Sequence, residues 1–275
     1  MSSTPIIEIG LNAAIVSVRD DEPLILVVTG SGDSPDLLPF GPFDPLHHRT
    51  MESGLRSWVS DQTGLELGYV EQLYTFGDRG RHAEPGDVGP HVVSIGYLAL
   101  TRARNQGARA GSATRWQSWY AYFPWEDWRN GKPDILESAI EPALTEWAAD
   151  RSSSEDEPER ALSRNDRIRL WFGLGDMPWN EERALERYEL LYEAGLLSEA
   201  LRDGRAKALA RAQTAPQPEL GTPMAHDHRR ILATAISRLR AKIKYRPVIF
   251  EMMPGTFTLL ALQRTVESLL GLHLH

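Results

Sequence analysis

Residues 38–65, LPFGPFDPLHHRTMESGLRSWVSDQTGL, decide how the rest of the chain is read. Met51, Leu55, Trp58, Val59 and Gln62 recur at helical spacing and mark one face of a helix, which Gly64 closes as a C-cap. A helix here that worked on a pyrophosphate would need carboxylates one turn apart, because such pairs hold hard divalent cations against the substrate. Counted back from Gly64, two adjacent pairs one turn apart hold Ser57, Trp58, Asp61 and Gln62. One of those four is a carboxylate. The other acid of the helix, Glu52, precedes Asp61 by nine residues. At about 100° per residue the two point to opposite sides and cannot clamp one ion.

The outline of this stretch resembles the Nudix box, the metal-binding loop-helix-loop of pyrophosphate hydrolases, and the resemblance implies an Arg-Glu pair and then a Glu-Glu pair at the places held by Ser57, Trp58, Asp61 and Gln62. The resemblance implies a scaffold kept and a hydrolase discarded, the condition of a sensor built on an enzyme fold. No catalytic residue, no metal and no cofactor is therefore expected.

At 275 residues the chain can bury one large core or two to three small ones. The first twelve residues lack a basic start followed by an apolar run. No uninterrupted apolar stretch approaches the roughly 20 residues that span a bilayer, so a cytoplasmic location without membrane contact is expected. There is no cysteine, which excludes disulfides, thiolate zinc sites and thiol nucleophiles. His47-His48, His226 with His228, and His273 with His275 lack the spacing of a metal site and read as solvated loop histidines.

Three parts follow from the patterning. Residues 1–150 read as mixed strands and helices: the apolar runs Leu24-Ile25-Leu26-Val27-Val28 and residues 92–100 suit central strands, and a second helix is expected from Ile135 to Trp147. Trp116, Trp119, Trp125 and Trp128 read as packing or interface residues. Residues 151–222 form a linker and helical insert. Its start, RSSSEDEPER, is polar and proline-bearing, and Ala184, Leu185, Tyr188, Leu191 and Tyr192 then mark a helical hairpin before a second Pro-rich linker. Residues 223–275 begin with a helix carried by Leu232, Ile236, Leu239 and Ile243 and stopped by Pro247. Thr258 suits the N-cap of a last helix, Phe257 and Leu262 a staple across it, and Gly271 its end.

Charge is divided unevenly. The whole chain carries -8, whereas residues 223–275 hold eight Lys/Arg against Asp227, Glu251 and Glu267, a balance of +5. A basic piece on an acidic body suits attachment to a polyanion, since phosphate contacts supply most non-specific affinity; a solvated basic helix is the other reading.

At these residues the resemblance becomes specific. The run from Gly68 to Gly77, the loop Asp78-Arg79-Gly80-Arg81, the strand at 92–100, and the pattern from Asp227-His228 through Arg238 to Pro247 and on to Phe257-Thr258-Leu259 with Leu262-Gln263 are similar to the Nudix-related repressors of NAD metabolism, in their alphaproteobacterial form. That resemblance implies an α+β architecture: a Nudix-type α/β/α sandwich with a helical insert and a C-terminal winged helix-turn-helix. The winged helix is expected to be incomplete, because the sequence stops at His275, before a recognition helix. It also implies a homodimer, a double-stranded DNA operator of NAD biosynthesis or salvage genes, and a nucleotide effector of the ADP-ribose or NAD type. The expected ligand contacts are Phe40, Phe43, Phe76, Arg79 and Arg81, because guanidiniums on a glycine-bearing loop can fork onto phosphates and aromatics can stack on a base. Arg246 and Arg264 are expected on DNA phosphates, with Thr258 as support. Two alternatives stay open: a pyrophosphatase using displaced acids such as Glu66, Glu71 or Glu84, and a non-catalytic nucleotide-binding partner of other proteins.

Overall fold

The computed structural model describes residues 7–29, 34–78, 80–81, 89–102, 113–150 and 162–274. The RSSSEDEPER segment, Arg79 and Glu84 lie outside the described residues.

The sheet is organised by one long strand that the apolar runs did not single out. Strand β1 (Ile7–Arg19) turns through Asp20 and Asp21, both at positive φ (53° and 59°), into β2 (Glu22–Val28), with Arg19 opposite Glu22. Two left-handed residues in a two-residue loop match the right-handed twist of the strands they join. The same edge of β1 is shared further back by β3 (Phe40–Pro42), antiparallel, with Asn12 opposite Phe40. The other edge pairs in parallel with β5 (His91–Leu100), from Ile7 opposite His91 to Val16 opposite Leu100. Adding β4 (Tyr69–Phe76) and β6 (Thr114–Ser118) gives a six-stranded mixed sheet of order β4-β5-β1-β2-β6.

Both faces are covered, which is why β2 and β5 read as continuous apolar runs instead of alternating ones. On one face Leu11, Ala13, Ile15, Leu26, Ile95 and Ala99 meet Leu55 and Val59 of α1 (Met51–Thr63). Thr50 Oγ1 caps α1 by accepting from Ser53 N, Thr50 N donates in return to Ser53 Oγ, and Gly64 ends the helix in the left-handed region. On the other face Ala14, Val16, Ile25, Val27, Leu98 and Leu100 join a larger helical core.

That helical layer contains α2 (Glu141–Ala149), α3 (Arg164–Phe172), α4 (Ala184–Glu193), α5 (Ser198–Arg202), α6 (Ala206–Ala212), α7 (His228–Ile243) and α8 (Leu259–Leu270). The helix expected from Ile135 to Trp147 opens with a wide π turn, Leu136–Ile140, before α2. Pro142 sits in the first turn of α2 and has no N–H to return to the preceding turn, so the widened turn takes up the mismatch. Thr258 accepts from Ala261 N at 3.1 Å, and Gly271 adopts φ 74° as expected of the last helix's end. Phe257 stacks on Phe250 at 5.7 Å, while Leu262 packs against the core. Helix α7 lies against β1, β4 and β5, where Gly96 leaves room for Ile231 and Phe76. Residues of the three sequence-defined parts thus share one apolar core.

A charged cluster sits inside that layer. Glu126, Arg187 and Arg240 are each 0% exposed. Arg187 donates to both carboxylate oxygens of Glu126, at 2.6 and 2.8 Å, and Arg240 donates to one of them. Burial pushes the Glu126 carboxyl up, but the two guanidiniums outweigh it and hold the group ionised. Removing one member of a buried set leaves the others unpaired, a loss of about 3–5 kcal/mol. Glu126→Ala is expected to lower the urea unfolding free energy by about that amount, and a change under about 1 kcal/mol would show that the triad does not hold the helices together.

Candidate functional site

The box helix is closed onto the strand that leads into it. The Trp58 indole covers Gly41 so closely that a Cβ there would fall 2.2 Å from the ring, and its N–H donates to Pro42 O at 2.8 Å. Gln62 accepts from Phe40 N at 3.2 Å and donates to Phe40 O at 2.6 Å. Two of the three places that would carry metal-binding acids therefore pin α1 to β3. Ser57 and Asp61 are exposed. Glu52 accepts from Arg56 at 2.9 Å, and Arg56 reaches on to the carbonyls of Leu67 and Gly68. Glu71, one of the displaced acids considered above, is paired with Lys242, and Glu66 is exposed. Among the described residues no group of three His, Asp or Glu side chains is placed to hold a metal ion.

Of the expected ligand residues, Phe40, Phe76 and Arg81 border the first turn of α7 through His228, Arg230 and Asp227. Phe40 is 37% exposed, with its ring 5.4 Å from His228 and 6.1 Å from His226. Phe43 is half-buried, 6.3 Å from His48. Phe76 is a core residue, 2% exposed, with the Arg230 guanidinium 5.2 Å above its ring. Arg79 lies outside the described residues. Arg81 is buried, and its fork is spent inside the protein: its two terminal nitrogens donate to the two oxygens of Glu189 at 3.1 and 2.9 Å, and the guanidinium lies 3.9 Å from the centre of the Tyr192 ring.

Arg81 belongs to a network that residue patterning did not reveal. Arg230 of α7 pairs with Glu189 of α4, with Asp78, and with Asp227 at 3.2 Å; Asp227 lies 3.8 Å from Arg81. The loop after β4 is thereby tied to α4 and to the first turn of α7. Asp227 is 3% exposed, and burial pushes its carboxyl up to about 6 against the pull of Arg230 and Arg81. Beside it, Leu38 N donates to Nδ1 of the buried His228 at 2.9 Å, joining the box lead-in to the same turn. The sequence signals none of these partners, since they stand up to 190 residues apart.

The C-terminal cations divide into internal and outward sets. Arg229 is 1% exposed, donating to Glu199 and to the carbonyls of Tyr122 and Leu220, and Arg240 is consumed by the triad. Much of the basic balance read from the sequence is therefore structural. Arg246 is exposed on a cleft of about 320 Å³ with Tyr69, Lys242 and Glu251. Arg264 lines another of about 350 Å³, 3.7 Å from Asp21. Thr258 is occupied as the cap of α8.

The sheet, with a box-like helix on one face and helices on the other, defines a Nudix-like fold, and comparison with solved structures agrees. Shewanella oneidensis NrtR, solved in complex with a 27mer DNA, matches at TM-score 0.53 and 17% identity over 97% of this chain and 77% of that one. The same NrtR in a second structure matches at 0.52 and 17%, over 97% and 79%. A MutT/nudix family protein from Enterococcus faecalis matches at 0.52 and 14%, over 99% and 77%. No protein-family model matches the sequence, and no curated protein does.

Two outcomes follow from the geometry. Gln62→Glu removes the donor to Phe40 O and is expected to cost about 1–3 kcal/mol in urea unfolding, with no gain of metal-dependent hydrolysis. An unchanged midpoint would mean that Gln62 does not hold β3. Asp227, with its folded pKa raised to about 6 from 3.8, holds its proton more tightly in the folded state. Its contribution to stability is therefore fully present below about pH 4 and lost as pH rises through about 6. Melting temperature measured against pH is expected to show that fall in wild type and not in Asp227→Asn; parallel curves would rule it out.

Proposed function

We propose that this protein is a DNA-binding transcriptional regulator, a repressor of NAD biosynthesis or salvage genes, whose Nudix-like sandwich senses a nucleotide of the ADP-ribose or NAD type without hydrolysing it. The observation that carries the reading is the sealed box helix: Trp58 and Gln62 stand where metal-binding acids would act and use their polar atoms on β3. The fold shared with a protein solved on DNA supports the second half, as does the family resemblance of the loop at 78–81 and of α7.

Regulation requires that the effector bind the DNA-competent and DNA-incompetent arrangements with different affinity. Arg81 suits that role indirectly. An effector phosphate reaching it must displace Glu189, which loosens the bond between the loop after β4 and α4. A homodimer fits the pairing of symmetric operator half-sites.

Two measurements test the proposal. Incubation with NAD, ADP-ribose or dinucleoside polyphosphates plus magnesium or manganese is expected to release no product; turnover of about 1 per second or faster would identify an enzyme. In gel shifts the protein is expected to retard duplex DNA from the promoters of its own NAD genes, more weakly as salt rises. Absence of any shift at low salt would favour the nucleotide-binding partner alternative.

A further inference from the structure

The outward cations of α7 form a row. Arg238, Lys242 and Arg246 are spaced four apart, and although α7 ends at Ile243, the bond from Arg246 N to Lys242 O at 2.8 Å carries the turn onward. At 1.5 Å rise per residue the backbone positions of Arg238 and Lys242 lie about 6 Å apart along the axis, and Arg246, extended at φ -130°, follows just past the helix end. Arg238 and Arg246 are exposed and have no ion pair among the described residues. Tyr245, 65% exposed, stands beside them. Lys244 points elsewhere, held at 2.7 Å by both Glu181 and Glu182.

The middle cation is held differently. Lys242 donates to Tyr69 Oη at 2.9 Å and to Glu71, while Tyr69 donates to the same Glu71 oxygen at 2.6 Å. Both partners belong to β4, the edge strand of the sheet, and Glu71 also feels the charge of Arg238. The Lys242 side chain is 14% exposed and lines the cleft with Arg246 and Glu251. A three-member clasp on an edge strand thus withholds one charge from a row whose other two members face solvent.

We propose that this face of α7 docks on the phosphate backbone of duplex DNA, and that Glu71 and Tyr69 hold Lys242 away from phosphate until DNA takes their place. The inference rests on the regulator reading and adds to it the docking surface and its latch. Phosphate contact positions a protein without reading sequence, so this surface acts whichever element reads the bases. The latch sits on the strand that leads to Phe76 and the Asp78 and Arg81 contacts, so a change in that loop reaches the DNA-facing helix through β4.

The test is anisotropy of a labelled mixed-sequence duplex across a salt series, with each variant's melting curve recorded. Removing one cation from a phosphate reduces the steepness of log K against log salt by about 0.9. Arg238→Ala with Arg246→Ala is expected to bind about tenfold or more weakly at low salt, with the steepness reduced by nearly two, whereas Arg238→Lys with Arg246→Lys is expected to keep it. Glu71→Gln is expected to bind more tightly with a steeper slope, and adding Lys242→Met to Glu71→Gln is expected to cancel that gain. Wild-type binding matched in affinity and slope by the double Ala variant would overturn the docking surface and leave the regulator reading standing. Equal or weaker binding by a folded Glu71→Gln protein would overturn the latch. No binding by wild type at low salt would sink the regulator reading and the docking surface together.

Discussion

The structure depends on placing two guanidiniums and one carboxylate in a volume that admits no water-exposed atom of any of them. Glu126 lies in the short turn Pro124–Glu126, Arg187 on α4 and Arg240 on α7. The net positive charge left after pairing is spread over backbone carbonyls: Arg187 donates to Trp171 O and Asn180 O at 2.9 Å each, and Arg240 to Leu269 O at 2.8 Å and Glu181 O at 3.0 Å. Such a cluster contributes little net stability against an apolar replacement, but it tolerates only one relative placement of the elements that supply it. Gly271 adds to the constraint, since a Cβ there would fall 2.3 Å from Glu126 O. The ends of α7 and α8 are therefore fixed to the turn that follows β6, and the C-terminal helices are built into the sheet's second layer.

This arrangement separates the two faces of the sheet in what they can do. The α1 face is closed by neutral hydrogen bonds to β3 and a tryptophan over a glycine, contacts that offer no charge to a pyrophosphate or a metal. The helical face carries ionic links between β4 or its following loop and α4 or α7: Arg81 with Glu189, Arg230 with Asp78, and Lys242 with Glu71. An anionic ligand competes for such links with the carboxylates already there, so binding and rearrangement become one event.

The parts legible in the sequence were those set by local rules. The runs at 24–28 and 92–100 became β2 and β5, Gly64 and Gly271 ended their helices in the left-handed region, and the spacing of Leu232, Ile236 and Leu239 gave the buried stripe of α7. What could not be read was set by partners distant in sequence. The role of β1 as the strand bordered by β2, β3 and β5 depends on a parallel pairing without any turn signature. Phe76, an aromatic beside a charged loop, suggested ligand stacking, but its ring is core because α7 packs Ile231 over the same glycine, Gly96. Counting charge in residues 223–275 overstated the outward basic surface for the same reason: Arg229 and Arg240 find Glu199 and Glu126 inside the fold.

The ion pairs differ in how readily they can be exchanged. Breaking the triad would strand a charge where water cannot follow, at a cost comparable to much of a domain's stability. Lys242 and Glu71, with side chains 14% and 23% exposed, sit beside the cleft that Lys242 lines with Arg246, so a released partner has a route to water. A phosphate replacing Glu71 on Lys242 approaches through that cleft. Arg81 and Glu189 are similarly placed, with Arg81 at 9% side-chain exposure and Glu189 at 29%: the carboxylate can swing to solvent, whereas the guanidinium needs a replacement anion. The charges that fix the architecture and those able to answer a ligand are thus different residues, so the helical layer can exchange its outer partners without losing its place on the sheet.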